Sequence, residues 1–316
     1  MNYRPKLVAL LIAVALILSI VGQFNIPVAA QSEEPVIWAF VPSENSQEVL
    51  ASADAIAALV TEKTNIPIKT FVATEFAGVV EAMCNGQAQM GALNTFGYVL
   101  ASSRQCADVG LVSVRNGSTS YRGQIITLAD SGIKTIADLK GKTFCRPDPL
   151  STSGWIIPSI LLKANGINPD TDLEVVDVGG HDAVVENVYN GNCAAGATFD
   201  DARGQVEATY ADVREKVVVV EYTAAIPNDT VSFAPSFDSE KRAAIVKALL
   251  EIVGDEANAD LVRSVYNWTG LAEAKDAFFD DFRQQLDAAG VSIDTLVPTP
   301  EPTSEATAEA TAEATP

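Results

Sequence analysis

Three consecutive hydroxyl side chains, Ser151, Thr152 and Ser153, stand in the segment Asp148-Pro149-Leu150-Ser151-Thr152-Ser153-Gly154, between a strand-like run and a helical one. Ser151 is a favoured helix N-cap, and Gly154 lets backbone approach a ligand closely. The N–H groups of a first helical turn have no partner inside the helix, and the helix dipole places about half a positive charge there. Hydroxyls, free N–H groups and dipole together make a cradle for a tetrahedral oxyanion. An ordinary capped helix start uses the same residue types, so the motif needs support from elsewhere in the chain. Four residues in loops at strand ends or crossovers supply it. Tyr121 ends the first strand-helix series, His181 follows Gly179-Gly180, Asp201 follows Thr198-Phe199-Asp200, and Asp229 closes Ile226-Pro227-Asn228-Asp229.

The same residues also invite a hydrolase reading, with Ser151, His181 and either Asp201 or Asp229 as a triad. Against it, the chain has no Gly-x-Ser-x-Gly elbow. Ser131-Gly132-Ile133-Lys134 fits Ser-x-x-Lys in letters but falls in a turn before a short helix. A single His does not assemble the usual catalytic zinc site, and neither a Gly-rich phosphate loop nor a closely spaced Cys pair occurs. The expectation is a binding protein, not an enzyme, with no cofactor and no metal; the alternatives are a sensory receptor module on the same scaffold and, behind it, the serine hydrolase.

Charge narrows the partners. The chain carries 21 Lys and Arg against 41 Asp and Glu, a net charge of −20. Such a mean field repels nucleic acid and anionic membrane surfaces. A small anion held by a few aimed dipoles is not excluded, because distant charges are screened.

The elements that must position these residues lie between two ends of different composition. Arg4 and Lys6, an apolar run from Leu7 to about Val21, and Val28-Ala29-Ala30 read as a secretory signal peptide over residues 1–30. Residues 298–316 (PTPEPTSEATAEATAEATP) repeat Glu, Ala and Thr without large apolar residues and are expected to be disordered. Export places the four cysteines in an oxidising compartment, where three pairings are open and buried free thiols are the alternative. The pairing that keeps each bond within one lobe is Cys84 with Cys106 and Cys145 with Cys193.

Short apolar runs alternate with helical periods from Val36 onward, which argues for an α/β fold with mostly parallel sheets. One helix is expected from Thr152 to Asn165, irregular at Pro158. Another is expected from Ala272 to Ala289. The simplest arrangement has two lobes, residues 34–122 plus 225–297 and residues 123–224, joined by two crossover hinges around a cleft, where ligands favour binding.

The segments Ser131-Gly132-Ile133, Asp138-Leu139-Lys140-Gly141-Lys142, Asp148 to Gly154, Gly180-His181-Asp182 and Ile226-Pro227-Asn228-Asp229 occur in this order. In this the chain resembles the phosphonate- and phosphite-binding proteins of ABC importers, a branch of the two-lobed periplasmic binding proteins, over roughly residues 36 to 290. The resemblance implies that Ser151, Thr152 and Ser153 hold phosphonyl oxygens, that Tyr121 and His181 donate further hydrogen bonds, and that Asp201 and Asp229 accept from a protonated oxygen or an ammonium. Phe76 stands where the family carries Tyr, and Asp201 where it usually has Glu. The implied ligand is a small phosphorus oxyanion: phosphite, a simple alkylphosphonate or phosphate. The implied partner is an ABC permease, the implied place the periplasm or extracytoplasmic surface, and the implied state a monomer.

Overall fold

The computed structural model describes residues 34–293. The expected signal peptide and terminal tail lie outside these residues. Among the described residues, no helix is long and apolar enough to cross a membrane.

The chain starts with an apolar strand, β1 (Val36–Phe40), followed by helix α1 (Ser46–Thr64). Asn45 caps α1 by accepting from the Gln47 and Glu48 amides, and Asn65 ends it in the left-handed conformation at φ 57°. Strand β2 (Ile68–Val72), helix α2 (Phe76–Cys84), strand β3 (Met90–Leu93), helix α3 (Thr95–Ser103) and strand β4 (Asp108–Val114) complete the first run. The second run holds β5 (Ser120–Leu128), β6 (Lys142–Arg146), α4 (Ile157–Ala164), β7 (Leu173–Asp177), α5 (His181–Tyr189), β8 (Ala195–Phe199), the short α6 (Val213–Lys216) and β9 (Val217–Pro227). The chain then returns through β10 (Thr230–Phe233), α7 (Ser239–Gly254), α8 (Ala259–Arg263), β11 (Gly270–Glu273) and α9 (Asp280–Ala288).

Two sheets result, ordered β11-β4-β10-β3-β1-β2 and β7-β6-β8-β5-β9. We refer to them as the six-stranded and five-stranded lobes. They are mixed rather than mostly parallel. β1 runs parallel to β2 and β3, whereas β10 and β11 pair antiparallel. In the other sheet β6 runs parallel to β7 and β8, whereas β5 pairs antiparallel with β8 and β9. β5, β9 and β10 flank the crossovers, where the chain leaves one sheet and later comes back in the opposite sense, and β11 adds an antiparallel edge beside β4.

The crossovers lie side by side. Ser120, Tyr121 and Arg122 of β5 pair with Pro227, Ile226 and Ala225 of β9. Asn228, fully buried, donates from Nδ2 to the Ser113 and Ser118 carbonyls at 2.9 Å each, and the Ser113 amide donates to the Asp229 carbonyl at 2.9 Å. These bonds give Asp229 a defined position between the sheets.

Two local expectations are corrected. Residues 272–289 are not one helix: β11 pairs with β4 from Gly270–Val114 to Glu273–Leu111, and α9 begins only at Asp280. A free sheet edge beside β4 outweighs the helical pattern of those residues. Helix α3 is buried on every side from Thr95 to Ala101, and a helix apolar all round carries no amphipathic signal that would fix its bounds. The segment after Ser151 opens with a π-helical turn, Thr152–Ile156, before α4. Pro158 therefore sits in the first turn of α4, where its missing N–H costs nothing. The structure holds the disulfides Cys84–Cys106 and Cys145–Cys193, with Cα–Cα distances of 4.7 and 5.9 Å.

Candidate ligand-binding site

The hydroxyl turn is built from β6 outward. Ser151 caps the π-turn: its Oγ accepts from the Gly154 amide at 3.2 Å, and its carbonyl accepts from Trp155 and Ile156 at 2.9 and 3.0 Å. Gly154 is required by packing. A Cβ there would stand 2.7 Å from Pro147 Cγ and 2.8 Å from Ser151 Oγ, so the glycine lets the turn fold onto its own strand. Ser151, Thr152 and Ser153 are all buried.

These three residues share one small cavity, about 30 Å³ in volume, with Phe76, Asn94, Arg115, Tyr121, His181 and Asp229, beside Val41, Ser43, Phe199 and Tyr266. His181, the first residue of α5, faces Ser151 with Nε2–Oγ at 3.3 Å and meets the Phe199 ring edge-on at 4.9 Å. Burial, assisted by the Arg115 charge, pushes its pKa down to about 3, so the imidazole is neutral at physiological pH. Burial likewise raises the Tyr121 phenol, against the lowering effect of its bond with Ser153, and the phenol stays protonated. Phe76, at the start of α2, presents a ring with no donor.

Arg115, like Asn94, lines the cavity without having been singled out from the sequence. It pairs with Asp229 Oδ1, while Trp268 Nε1 donates to Asp229 Oδ2 at 2.6 Å, and its guanidinium lies 5.3 Å from the Tyr121 ring centre. Val114-Arg115-Asn116-Gly117 reads as turn chemistry in isolation. Its nearness to Tyr121 along the same crossover was the available signal. The cavity thus contains a compensated carboxylate: one cation and one anion face it together.

Asp201 is not brought to this cavity. It lies in the wall of an adjoining open cleft of about 680 Å³ that shares Arg115, Tyr121 and Phe199. Its carboxylate accepts from Arg203 Nε and Nη2 at 2.8 Å each, from Gln124 Nε2 at 3.2 Å, and from Arg214. Partial burial acts to raise its pKa, but the Arg203 and Gln124 hydrogen bonds and the Arg203 charge bring it down to about 2.

Taken as a hydrolase, the arrangement lacks its third member. Among the described residues, His181 Nδ1 is buried with no hydrogen-bond partner, and both aspartates are engaged elsewhere. A Ser–His pair with no group orienting the imidazole does not set the tautomer that general-base catalysis needs. What the arrangement can do is hold an anion, through hydroxyls, a phenol, a neutral imidazole and a guanidinium in a buried place.

Comparison with known proteins bears on what such a site is for. Residues 38–279 match a family model described as the phosphonate periplasmic substrate-binding protein of an ABC transporter. A phosphate-import protein, PhnD, of Mycolicibacterium smegmatis is 30% identical over 178 residues, covering 53% of this chain and 56% of that relative. The chain spans less than two thirds of the length of the curated relatives it matches. Among solved structures, a binding protein component of an ABC phosphonate transporter from Pseudomonas aeruginosa superposes with a TM-score of 0.75 at 18% identity, covering 81% of this chain and 87% of that one. PhnD1 of Prochlorococcus marinus in complex with methylphosphonate superposes with a TM-score of 0.72 at 11% identity, covering 81% and 98%.

Proposed function

Since this chain belongs to the phosphonate substrate-binding family of ABC transporters, we propose that it captures a small phosphorus oxyanion between its lobes outside the cytoplasm and delivers it, as a monomer, to a membrane permease. The observation that carries this reading is the convergence of Ser151, Thr152, Ser153, Tyr121, His181 and Arg115 on one buried cavity. Oxyanions need several aimed donors, and a buried oxygen left without one costs about 1–3 kcal/mol. Asp229 accepts from a singly protonated ligand, while Arg115 keeps the pair neutral and so lets an anion approach.

The apolar side of the cavity orders the candidates. Phe76, Val41 and Phe199 offer no donor for a fourth oxygen. Methylphosphonate or phosphite, with a P–C or P–H bond in place of one P–O, therefore binds more tightly than phosphate. Isothermal titration with the three ligands tests this. Heat from none of them overturns the assignment, and phosphate as the tightest ligand overturns the order. Replacing Ser151 and Ser153 together by Ala weakens binding by about 2–4 kcal/mol, from hydrogen bonds lost to a charged group.

A further inference from the structure

Thr152 opens the π-helical turn after β6, is 1% exposed and lines the ligand cavity. Its hydroxyl accepts twice. The Phe96 amide in the first turn of α3 donates to Oγ1 at 2.9 Å, and Asn94 Nδ2 donates to it at 2.9 Å. A backbone amide only donates. The sense of the Asn94 carboxamide is fixed by a second contact: Nδ2 also donates to the Leu150 carbonyl at 2.8 Å, and a carbonyl only accepts. Asn94 therefore presents its NH2, not its oxygen, to Thr152. Gly97 leaves room for this orientation, since a Cβ there would stand 2.5 Å from Asn94 Oδ1. A hydroxyl has two acceptor sites and one proton. With both acceptor sites of Thr152 filled, only its proton is left to use, and among the described residues that proton has no acceptor.

We propose that Asn94 is a positioning residue that commits the Thr152 hydroxyl to donate into the cavity, and so requires an unprotonated ligand oxygen at that place. Asn94 and Phe96 follow β3 in the six-stranded lobe, whereas Thr152 follows β6 in the other, so the commitment is made where the lobes meet. The proton of a singly protonated ligand then falls to Asp229, the carboxylate that lines the cavity. A fully protonated acid fails at Thr152, where two protons would face each other. A fully deprotonated oxyanion fails at Asp229, where two acceptors would. The role of Asn94 rests on the reading of the cavity as a phosphorus oxyanion site, and the test separates the two.

Calorimetry with methylphosphonate on the native chain comes first, and no heat overturns the oxyanion reading and this role with it. Where the ligand binds, a proton–phosphorus correlation spectrum of the saturated complex shows which hydroxyls donate to it, through coupling across the hydrogen bond. In the native complex one cross-peak belongs to Thr152, identified by its loss in Thr152→Val. A native complex without that cross-peak overturns the proposal and leaves the oxyanion reading intact. Asn94→Ala frees the hydroxyl to rotate. The cross-peak then disappears although the ligand is still saturating, and affinity falls roughly tenfold for a hydrogen bond lost to a charged group. A cross-peak kept at native intensity in that variant overturns the role of Asn94, whatever the affinity does. Asn94→Asp has the shape of the native side chain and the opposite sense: its carboxylate draws the Thr152 proton to itself, and the cross-peak is lost again. It carries the test where Asn94→Ala does not fold, and a retained cross-peak overturns the role there too.

Discussion

Arg115 offers the sharpest test of how this site tolerates an anion. Its guanidinium is paired with Asp229 where the two side chains are only 18% and 9% exposed. Replacing Arg115 by Met leaves the Asp229 carboxylate facing the cavity without its cation. At an effective dielectric of about 20, two unit charges ~5 Å apart interact by about 3 kcal/mol. That repulsion corresponds to roughly a hundredfold loss of affinity for a singly charged ligand. Breaking a buried pair from one side also costs about 3–5 kcal/mol of stability. Adding Asp229→Asn removes the orphaned charge and returns the pair to neutrality. The double variant therefore recovers most of both losses, short of the hydrogen bonds that Arg115 made. Titration calorimetry with methylphosphonate at pH 7, alongside thermal melts of all four proteins, completes the cycle. If the double variant binds no better than Arg115→Met alone, charge compensation is not what admits the anion, and the reasoning fails.

Other consequences are equally direct. Burial, with Asp182, Asp229 and Glu48 adding repulsion against the attraction of Arg115, pushes the Glu44 carboxyl from its ordinary 4.5 up to about 7. The folded chain thus keeps this proton to higher pH than the unfolded one, so the stability Glu44 contributes is full below about pH 4.5 and drains as pH rises through 7. Melts of Glu44→Gln lose that slope between pH 4.5 and 7, and a slope unchanged from the parent contradicts the assignment. Cys84–Cys106 and Cys145–Cys193 close loops with sequence separations of 22 and 48 residues. In the chain-entropy model their removal costs about 3 and about 4 kcal/mol. Urea titrations of Cys→Ala pairs rank the longer loop as the costlier, and the reverse order refutes the entropic account. Gly154→Ala forces a methyl into Pro147 and the Ser151 hydroxyl, with a cost of about 1–3 kcal/mol and a larger loss of ligand affinity than of stability. Unchanged affinity in a folded Gly154→Ala protein would show that the turn does not hold the ligand.

Much of the architecture was legible because its signals are local. β1 and β3 are short and apolar, α1 carries Asn45 before a helical period, and the crossover near Tyr121 and Asp229 shows in its turn residues. The turn from Asp148 to Gly154 stood out by hydroxyl density alone. Helix α3 was expected only as part of a helix-strand-helix stretch and without bounds, because periodicity needs an exposed face and this helix has none through Ala101. β11 looked helical because its strand partner, β4, lies more than 150 residues earlier.

The candidate site divides the same way. Residue types at strand ends marked Tyr121, Ser151, His181 and Asp229 as neighbours in kind. Which of two aspartates faces the cavity was beyond sequence: Asp201 turns to Arg203 two residues away and to Arg214 beyond it, while Asp229 meets an arginine 114 residues distant. Sequence alone pointed to strands such as β1 and β3, to the capped start of α1 and to the hydroxyl-rich turn, since each signal lies within a few residues. Tertiary structure alone decided the charge balance of the cavity and the antiparallel pairing of β10 and β11. Those depend on sheet register and on how two crossovers bring distant segments side by side, and no window of neighbouring residues contains that information.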